Sequence, residues 1–301
     1  MIDCLIIGGG PSGLTAAIYA ARFHLSVQVV DARESRAAQI PLTRNHAGFP
    51  EGISGVALLE RMREQAVLYG TELIAGRVTD LRRGANGFFA TLADREILAR
   101  TVLLATGVTN RRPFMNDDLH AEALRQGRLR YCPVCDGYEV TDRVVAVVGR
   151  GPRAAREAEF LRSYTADVSL IGLTGEDGLD NAARARLDAI GVKRFASPAR
   201  DFHLEQDSMV VTCAVGRLRF DAVYPSLGSD VHSTLARALG AAVTKDGCIK
   251  VDAHQRTSIP GLYAAGDVVL GLDQISHAMG EAGVAATTLR NDLAADSPLL
   301  R

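Results

Sequence analysis

The run Ile2-Asp3-Cys4-Leu5-Ile6-Ile7, followed at once by Gly8-Gly9-Gly10-Pro11-Ser12-Gly13 and then by Leu14-Thr15-Ala16-Ala17-Ile18-Tyr19-Ala20-Ala21-Arg22, decides the fold. Its first six residues are nearly all apolar, as a parallel strand covered on both faces requires. The glycine run reads as a turn, and the small-residue run behind it as a helix. Gly8, Gly10 and Gly13 fill the three places of G-x-G-x-x-G, where missing side chains let the backbone approach a pyrophosphate and the helix N-terminus faces its charge. A second apolar run, Ser26 to Val30, ends at Asp31, eighteen residues beyond Gly13, where a carboxylate can bind a ribose 2'-hydroxyl. The glycine pattern alone is a weak signal. Strand, turn, helix and acid in this order make it a dinucleotide site.

Working outward, residues 34 to 56 read as a loop, and Gly55 to Tyr69 as a helix with Val56, Leu59, Met62, Ala66 and Tyr69 on its apolar face. Residues 71 to 100 read as a small meander of strands. Val102 to Leu104 is another buried strand, ending in Ala105-Thr106-Gly107, a turn small enough for backbone to come close to a ligand. Arg111-Arg112-Pro113 reads as a domain exit. The pattern then recurs, with a strand over Arg143 to Val148, a degenerate glycine turn at Gly149-Arg150-Gly151-Pro152-Arg153-Ala154 and a helix over Ala155 to Tyr164. A helix over 180 to 190, short strands over 192 to 224 and a last helix from about Ser276 to Leu293 complete the reading, an α/β chain with two Rossmann-like, three-layer nucleotide-binding domains.

The second chemical feature is Cys132-Pro133-Val134-Cys135-Asp136-Gly137. Cysteines two residues apart close a small disulfide ring that a thiolate readily reopens, so the pair can store and pass on two electrons. Zinc would need four ligands, and the chain has no second Cys or His pair at comparable spacing. No metal is expected. Asp136 is placed to give or take the proton that each dithiol step requires.

Composition sets the class. In 301 residues, 34 Lys and Arg against 35 Asp and Glu give a net charge of -1, and with 47% hydrophobic residues the chain reads as a soluble globular protein. No basic face exists to hold nucleic acid, and no apolar stretch approaches the roughly 20 residues of a spanning helix. The N-terminus reads as a buried strand rather than a signal peptide. Cys4, Cys213 and Cys248 lie in apolar, strand-like contexts and are expected to be reduced core residues of a cytoplasmic protein.

Taken together, Gly8 to Gly13 with Ala16 to Arg22, Asn45 with Gly48 to Gly52, Ala105-Thr106-Gly107, the Cys132 to Gly137 box, and Pro260 to Asp267 followed by Gln274 resemble the low-molecular-weight thioredoxin reductases across essentially the whole chain. The resemblance implies a discontinuous FAD domain over 1–112 and 229–301, with a pyridine-nucleotide-like domain carrying the Cys-x-x-Cys, 113–228, inserted into it. It implies that Gly8, Gly10, Pro11, Ser12, Gly13, Asp31, Ala32, Gln39 and Asn45 line the FAD site together with Ala105, Thr106 and Gly107, and that Gly266, Asp267, Gln274 and Ile275 close it. A helix beginning just after Gln274 would point its N-terminus at the flavin. By the same resemblance Cys135 faces the flavin, Cys132 exchanges with substrate, Asp136 is the acid/base, a thioredoxin-like protein or a small dithiol or disulfide is the partner, and the chain is a homodimer.

The departures concern the electron source. Where the family ends the second strand of the inserted domain in a His-Arg-Arg run that grips the 2'-phosphate of NADPH, this chain has Gly172-Leu173-Thr174, then Gly175-Glu176-Asp177. Each charged hydrogen bond lost costs roughly 1.5 to 3 kcal/mol, so two or three would weaken binding by about two to five powers of ten. Three readings follow: Glu176 or Asp177 selects NADH through the ribose, Arg150 and Arg153 supply another phosphate grip, or the domain binds neither NADPH nor NADH. The run Cys132 to Glu139 is also similar to dithiol oxidases that close disulfides in small molecules with oxygen as acceptor, although those tend to have His where Asp136 stands. Asp273 replaces the family's Arg before Gln274. A flavin-bearing redox sensor without turnover is the alternative of another class, and the intact pair with Asp136 argues against it.

Overall fold

The computed structural model describes residues 1–93, 95–173, 177–195 and 197–300. In chain order its elements are β1 (Ile2–Ile7), α1 (Pro11–Arg22), β2 (Val27–Asp31), α2 (Gly55–Leu68), β3 (Glu72–Ala75), β4 (Asp80–Gly84), β5 (Gly87–Thr91), β6 (Glu96–Leu104) and β7 (Val108–Asn110). There follow α3 (Asp117–Arg125), α4 (Pro133–Asp136), β8 (Val145–Gly149), α5 (Gly151–Leu161), β9 (Val168–Ile171), α6 (Asn181–Ala189), β10 (Lys193–Phe195), β11 (Asp201–Glu205), β12 (Ser208–Cys213), β13 (Gly216–Phe220) and β14 (Ala222–Ser226). The chain closes with β15 (Ser229–Val231), α7 (Thr234–Ala238), β16 (Leu262–Ala264) and α8 (Ile275–Asp296). These elements divide into two compact units, 1–42 with 46–109 and 230–301, and 43–45 with 110–229. The segments that pass between them, β7 and β15, pair as a two-stranded ribbon.

The first unit is built on a sheet of order β3-β2-β1-β6-β5-β4. Its strands β3, β2, β1 and the second half of β6 run parallel, and β16 joins β6 in register Leu262 to Val102. Alternation along β1 explains why nearly every residue is apolar. Cys4 and Ile6 pack with α1 and α8 on one face, while Leu5 and Ile7 pack on the other against Phe88, Leu104, Ala236 and Ile249. Small residues bring α1 close to the sheet: a Cβ at Gly13 would lie 1.9 Å from the Gly8 carbonyl oxygen.

Two expectations need correction here. β3 is not part of a meander but the parallel edge strand beside β2, so only β4, β5 and β6 form the antiparallel meander. On α2 the buried residues are Leu58, Leu59, Met62 and Ala66, whereas Val56 and Tyr69 are exposed, because the helix is oriented by the pocket of Leu14, Ala37 and Ile53. Val56 stands six positions before Met62, about 120° around the helix from it, and Tyr69, seven positions after, lies past the helix end at Leu68.

The second unit has the parallel sheet β10-β9-β8-β14, with α5 and α6 packed on the face of Val145, Val147, Leu170 and Tyr224. The opposite face, Ala146, Val148, Ile171 and Val223, meets the antiparallel sheet β11-β12-β13 through Phe202, Met209, Val211 and Phe220. Both units are therefore Rossmann-like α/β layers, each with a glycine turn at the carboxyl end of its first parallel strand.

Candidate active site

Cys132 and Cys135 form a disulfide with their Cα atoms 5.2 Å apart. The local sequence accounts for this geometry. Cys132 is the extended N-cap of α4, Pro133 occupies its first turn, and the Cys135 N–H donates to the Cys132 carbonyl at 3.0 Å and to its Sγ at 3.1 Å. A side chain at Gly137 would strike the Pro133 carbonyl oxygen and the Tyr164 ring, both at 2.6 Å, so the glycine lets the turn sit against α5's end. Val134, between the cysteines, and Tyr138, just after the box, are exposed.

Asp136 is part-buried, and two side chains hold its carboxyl. Arg130 Nη1 donates to Oδ2 at 3.0 Å, and the hydroxyl of the fully buried Tyr224 donates to Oδ1 at 3.0 Å. Burial raises the pKa of Asp136, against the opposing pull of Arg130 and Tyr224. The remaining cysteines are far less suited to exchange. Burial pushes the Cys4 thiol up to about 12 and raises that of Cys213. Cys248 departs from expectation, being half-buried in a turn closed by its own N–H to Thr244 Oγ1 at 3.1 Å rather than in a strand.

In the first unit, Gly8 to Gly13 turn from β1 into α1, whose N-cap Gly10 offers no side-chain cap. Asp31 lies buried at the end of β2, accepts the Arg33 N–H at 2.8 Å and Arg63 Nη2 at 3.2 Å, and would be struck at 2.2 Å by a Cβ on Gly9. Ala32 follows it, and Gln39 ends the short turn 36–39. Ala105, Thr106 and Gly107 leave β6, and the Thr106 hydroxyl donates to the His232 carbonyl at 2.7 Å. Gly266 closes over α1, where a Cβ would lie 2.9 Å from that of Ser12; Gln274 caps α8 and Ile275 begins it. Asn45 differs from this set, because it packs with the second unit and accepts the Thr43 hydroxyl at 2.9 Å.

A dinucleotide fits the first turn. The buried Ser12 and Thr15 hydroxyls near the start of α1 have no protein hydrogen-bond partner, and Gly10 leaves the helix N-terminus without a side-chain cap. Two arrangements around it were not legible beforehand. Arg36 Nη1 bridges Asp267 at 3.0 Å and Asp273 at 2.9 Å, so the acid that stands in the place of an arginine meets a cation from the opposite end of the unit's chain. Burial, then Asp273, raises the pKa of Asp267, and Arg36 opposes both. Glu281 accepts the Gly266 N–H at 2.7 Å and pairs with His277 at 3.0 Å, fixing the turn after β16.

The second glycine turn is arranged differently. The Gly151 N–H donates to the Asp177 carbonyl at 2.7 Å, which holds Asp177 against the turn. The Asp177 carboxylate is itself held by Arg184 at 2.8 Å, Arg194 at 3.2 Å and the Leu179 N–H at 3.1 Å, with Arg184 chiefly keeping it below the usual carboxylate range. Its charge is thus answered within the protein. Thr174, Gly175 and Glu176, including the other acid considered for a ribose, lie outside the described residues. Among the described residues no three of His, Cys, Asp and Glu come together as a metal cluster, and no helix is long and apolar enough to cross a membrane.

A family model for pyridine nucleotide-disulphide oxidoreductases matches residues 2–282. The chain belongs to this family. Among pyridine nucleotide-disulphide oxidoreductases it is similar to the thioredoxin reductase of Mycolicibacterium smegmatis, 32% identical over 89% of this chain and 88% of the relative. To the thioredoxin reductase of Aquifex aeolicus it is 30% identical over 89% of this chain and 85% of the relative. The thioredoxin reductase of Streptococcus pyogenes superposes with a TM-score of 0.90 at 28% identity, covering 98% of this chain and 99% of that one. The structure of HlmI superposes equally well, with a TM-score of 0.90 at 30% identity over 98% and 93%. The protein is a flavoprotein disulfide oxidoreductase of the low-molecular-weight thioredoxin reductase type, and the family supports FAD as its flavin.

Proposed function

We propose that the protein moves two electrons between FAD and a dithiol or disulfide substrate through Cys132 and Cys135, with Asp136 as the acid/base, and that it does not draw on NADPH in the usual way. In the first unit, 1–112 and 229–301 as the resemblance divides it, Gly8 to Gly13, Asp31, Ala105 to Gly107, Gly266, Asp267 and Gln274 would hold the dinucleotide. Bound FAD supplies or takes up the electron pair. The chain's own residues do the rest. In the reducing direction the Cys132 thiolate attacks the substrate disulfide, forming a mixed disulfide and releasing one substrate thiolate. Cys135 then attacks Cys132 Sγ, re-forming the ring and releasing the second. Each departing sulfur takes up a proton, and Asp136 is the nearest acid in sequence to the pair.

The observation that carries this reading is the Cys132–Cys135 disulfide at the head of α4 with Asp136 on its last turn. The reading on nucleotide use rests on the second glycine turn, where the Gly151 N–H and the Asp177 carboxylate both have partners inside the protein. A thioredoxin-like protein is the proposed partner, in keeping with the names of the relatives. Oxidation of a small dithiol with oxygen as acceptor is the second reading, favoured by Gly137-Tyr138-Glu139 with Tyr138 exposed. A homodimer accords with the resemblance, and a cytoplasmic location with the buried free thiols of Cys4 and Cys213.

The test is rapid mixing of the anaerobic flavoprotein with dithiothreitol. Wild type should lose its flavin absorbance, while Cys132→Ser and Cys135→Ser should each retain it over the same time. Equal bleaching in both variants would remove the pair from the path.

A further inference from the structure

Asp136 is gripped by Arg130, six residues before it, and by Tyr224, 88 residues after it. Arg130 is itself fixed, since its Nε donates to the Gly127 carbonyl at 2.9 Å and its backbone N–H to the Val223 carbonyl at 2.9 Å. Gly127 has a φ of 66°, and a Cβ there would lie 2.8 Å from Arg130 Nη2, so the guanidinium occupies the space of a side chain. Tyr224 stands on β14, next to Val223, with its ring in the core of the second unit and its hydroxyl at the carboxyl. The same hydroxyl lies 3.4 Å from the backbone carbonyl of Asp136. The charge of Glu139 also acts on Asp136 and raises its pKa, as burial does.

The two partners are chemically unequal. A guanidinium has only donors, so the oxygen facing Arg130 stays an acceptor in either protonation state. A phenol can donate or accept. It can give its proton to Oδ1 when Asp136 is ionised and turn it to the Asp136 carbonyl when Oδ1 carries the proton.

We propose that Arg130 and Tyr224 are positioning residues for the dithiol chemistry, which direct the working proton of Asp136 to Oδ1: Arg130 fixes Oδ2 as a permanent acceptor, and the Tyr224 hydroxyl switches between Oδ1 and the Asp136 carbonyl as that proton arrives and leaves. The proposal rests on Asp136 being the acid/base. When a substrate thiolate departs from the mixed disulfide, the proton passes from Oδ1 to that sulfur and the phenol swings back to donate to the bared carboxylate. In the oxidising direction the movements reverse. No electrons are transferred in this step, so the charge lost by sulfur is gained by the carboxylate.

The test compares the pH dependence of dithiothreitol-driven flavin bleaching with titration of the carboxyl carbon of 13C-labelled aspartate in the holoprotein. Asp136→Asn identifies both the kinetic limb and the resonance. Tyr224→Phe, which keeps the ring and the core, should move both upward by about half to one pH unit, and Arg130→Met by about one to two, since each removes a group that favours the charged form. Arg130→Lys should return most of the second shift. If the limb and the resonance titrate as in wild type in both Tyr224→Phe and Arg130→Met, the positioning role is refuted even where rates fall uniformly. If Asp136→Asn keeps the limb, the acid/base reading itself fails, and the proposal with it.

Discussion

Asp136 shows how a single residue's role depends on its surroundings. A carboxyl in water would be ionised at neutral pH and a poor proton donor; burial raises the pKa of this one, and Arg130 and Tyr224 limit the rise. Because its pKa is higher folded than unfolded, its contribution to stability is complete below the unfolded value and is lost as pH rises through the folded one. Replacing Asp136 with Asn should slow proton-linked exchange by about 10² to 10⁴, measured by single-turnover kinetics. The role of Asp136 could be proposed from the sequence because it adjoins Cys135. That of Tyr224 could not, since it lies 88 residues away and only the pairing of β14 beside β8 carries it to the carboxyl.

At the scale of elements, the first glycine turn was readable because its constraints are local. Gly13 lets α1 meet the strand behind Gly8, and Gly13→Ala should cost the first unit about 3 kcal/mol through overpacking, seen as a lower melting temperature and loss of retained flavin. α8 was equally legible as an element, but the partners that fix it were not. The hydroxyl of the buried Tyr263 on β16 donates to Asp292 at 2.7 Å, and Arg256 pairs with the same carboxylate at 2.7 Å. The hydrogen bond from Arg256, the largest cause, keeps the Asp292 pKa below its usual range, so this stabilisation is present above the unfolded pKa and lost as pH falls through the folded one. Asp292→Asn should therefore destabilise the protein by about 1 kcal/mol at neutral pH, and the gap in melting temperature should narrow below about pH 4. Arg36→Ala, which leaves Asp267 and Asp273 to repel each other, should weaken flavin retention, as measured by the flavin released on dilution or gel filtration. The face of α2 and the place of β3 were misread because near-helical spacing and strand propensity do not say which neighbour a surface will meet.

At the scale of the molecule, two units of the same α/β pattern differ in how their glycine turns are used. The first leaves the hydroxyls of Ser12 and Thr15 behind its turn without protein partners, whereas the second closes its turn with the Asp177 carbonyl. The loss of a basic run after β9 was plain from the sequence. That Asp177 is bound by Arg184 and Arg194 was not, because those residues lie on α6 and β10 and reach it only through packing. The most direct measurement is an anaerobic visible spectrum of the purified holoprotein, taken after NADPH, then NADH, then dithiothreitol. The account predicts that neither nicotinamide bleaches the flavin on the timescale of turnover and that the dithiol does. Rapid bleaching by NADPH or NADH would contradict it and show that the second glycine turn still takes a dinucleotide.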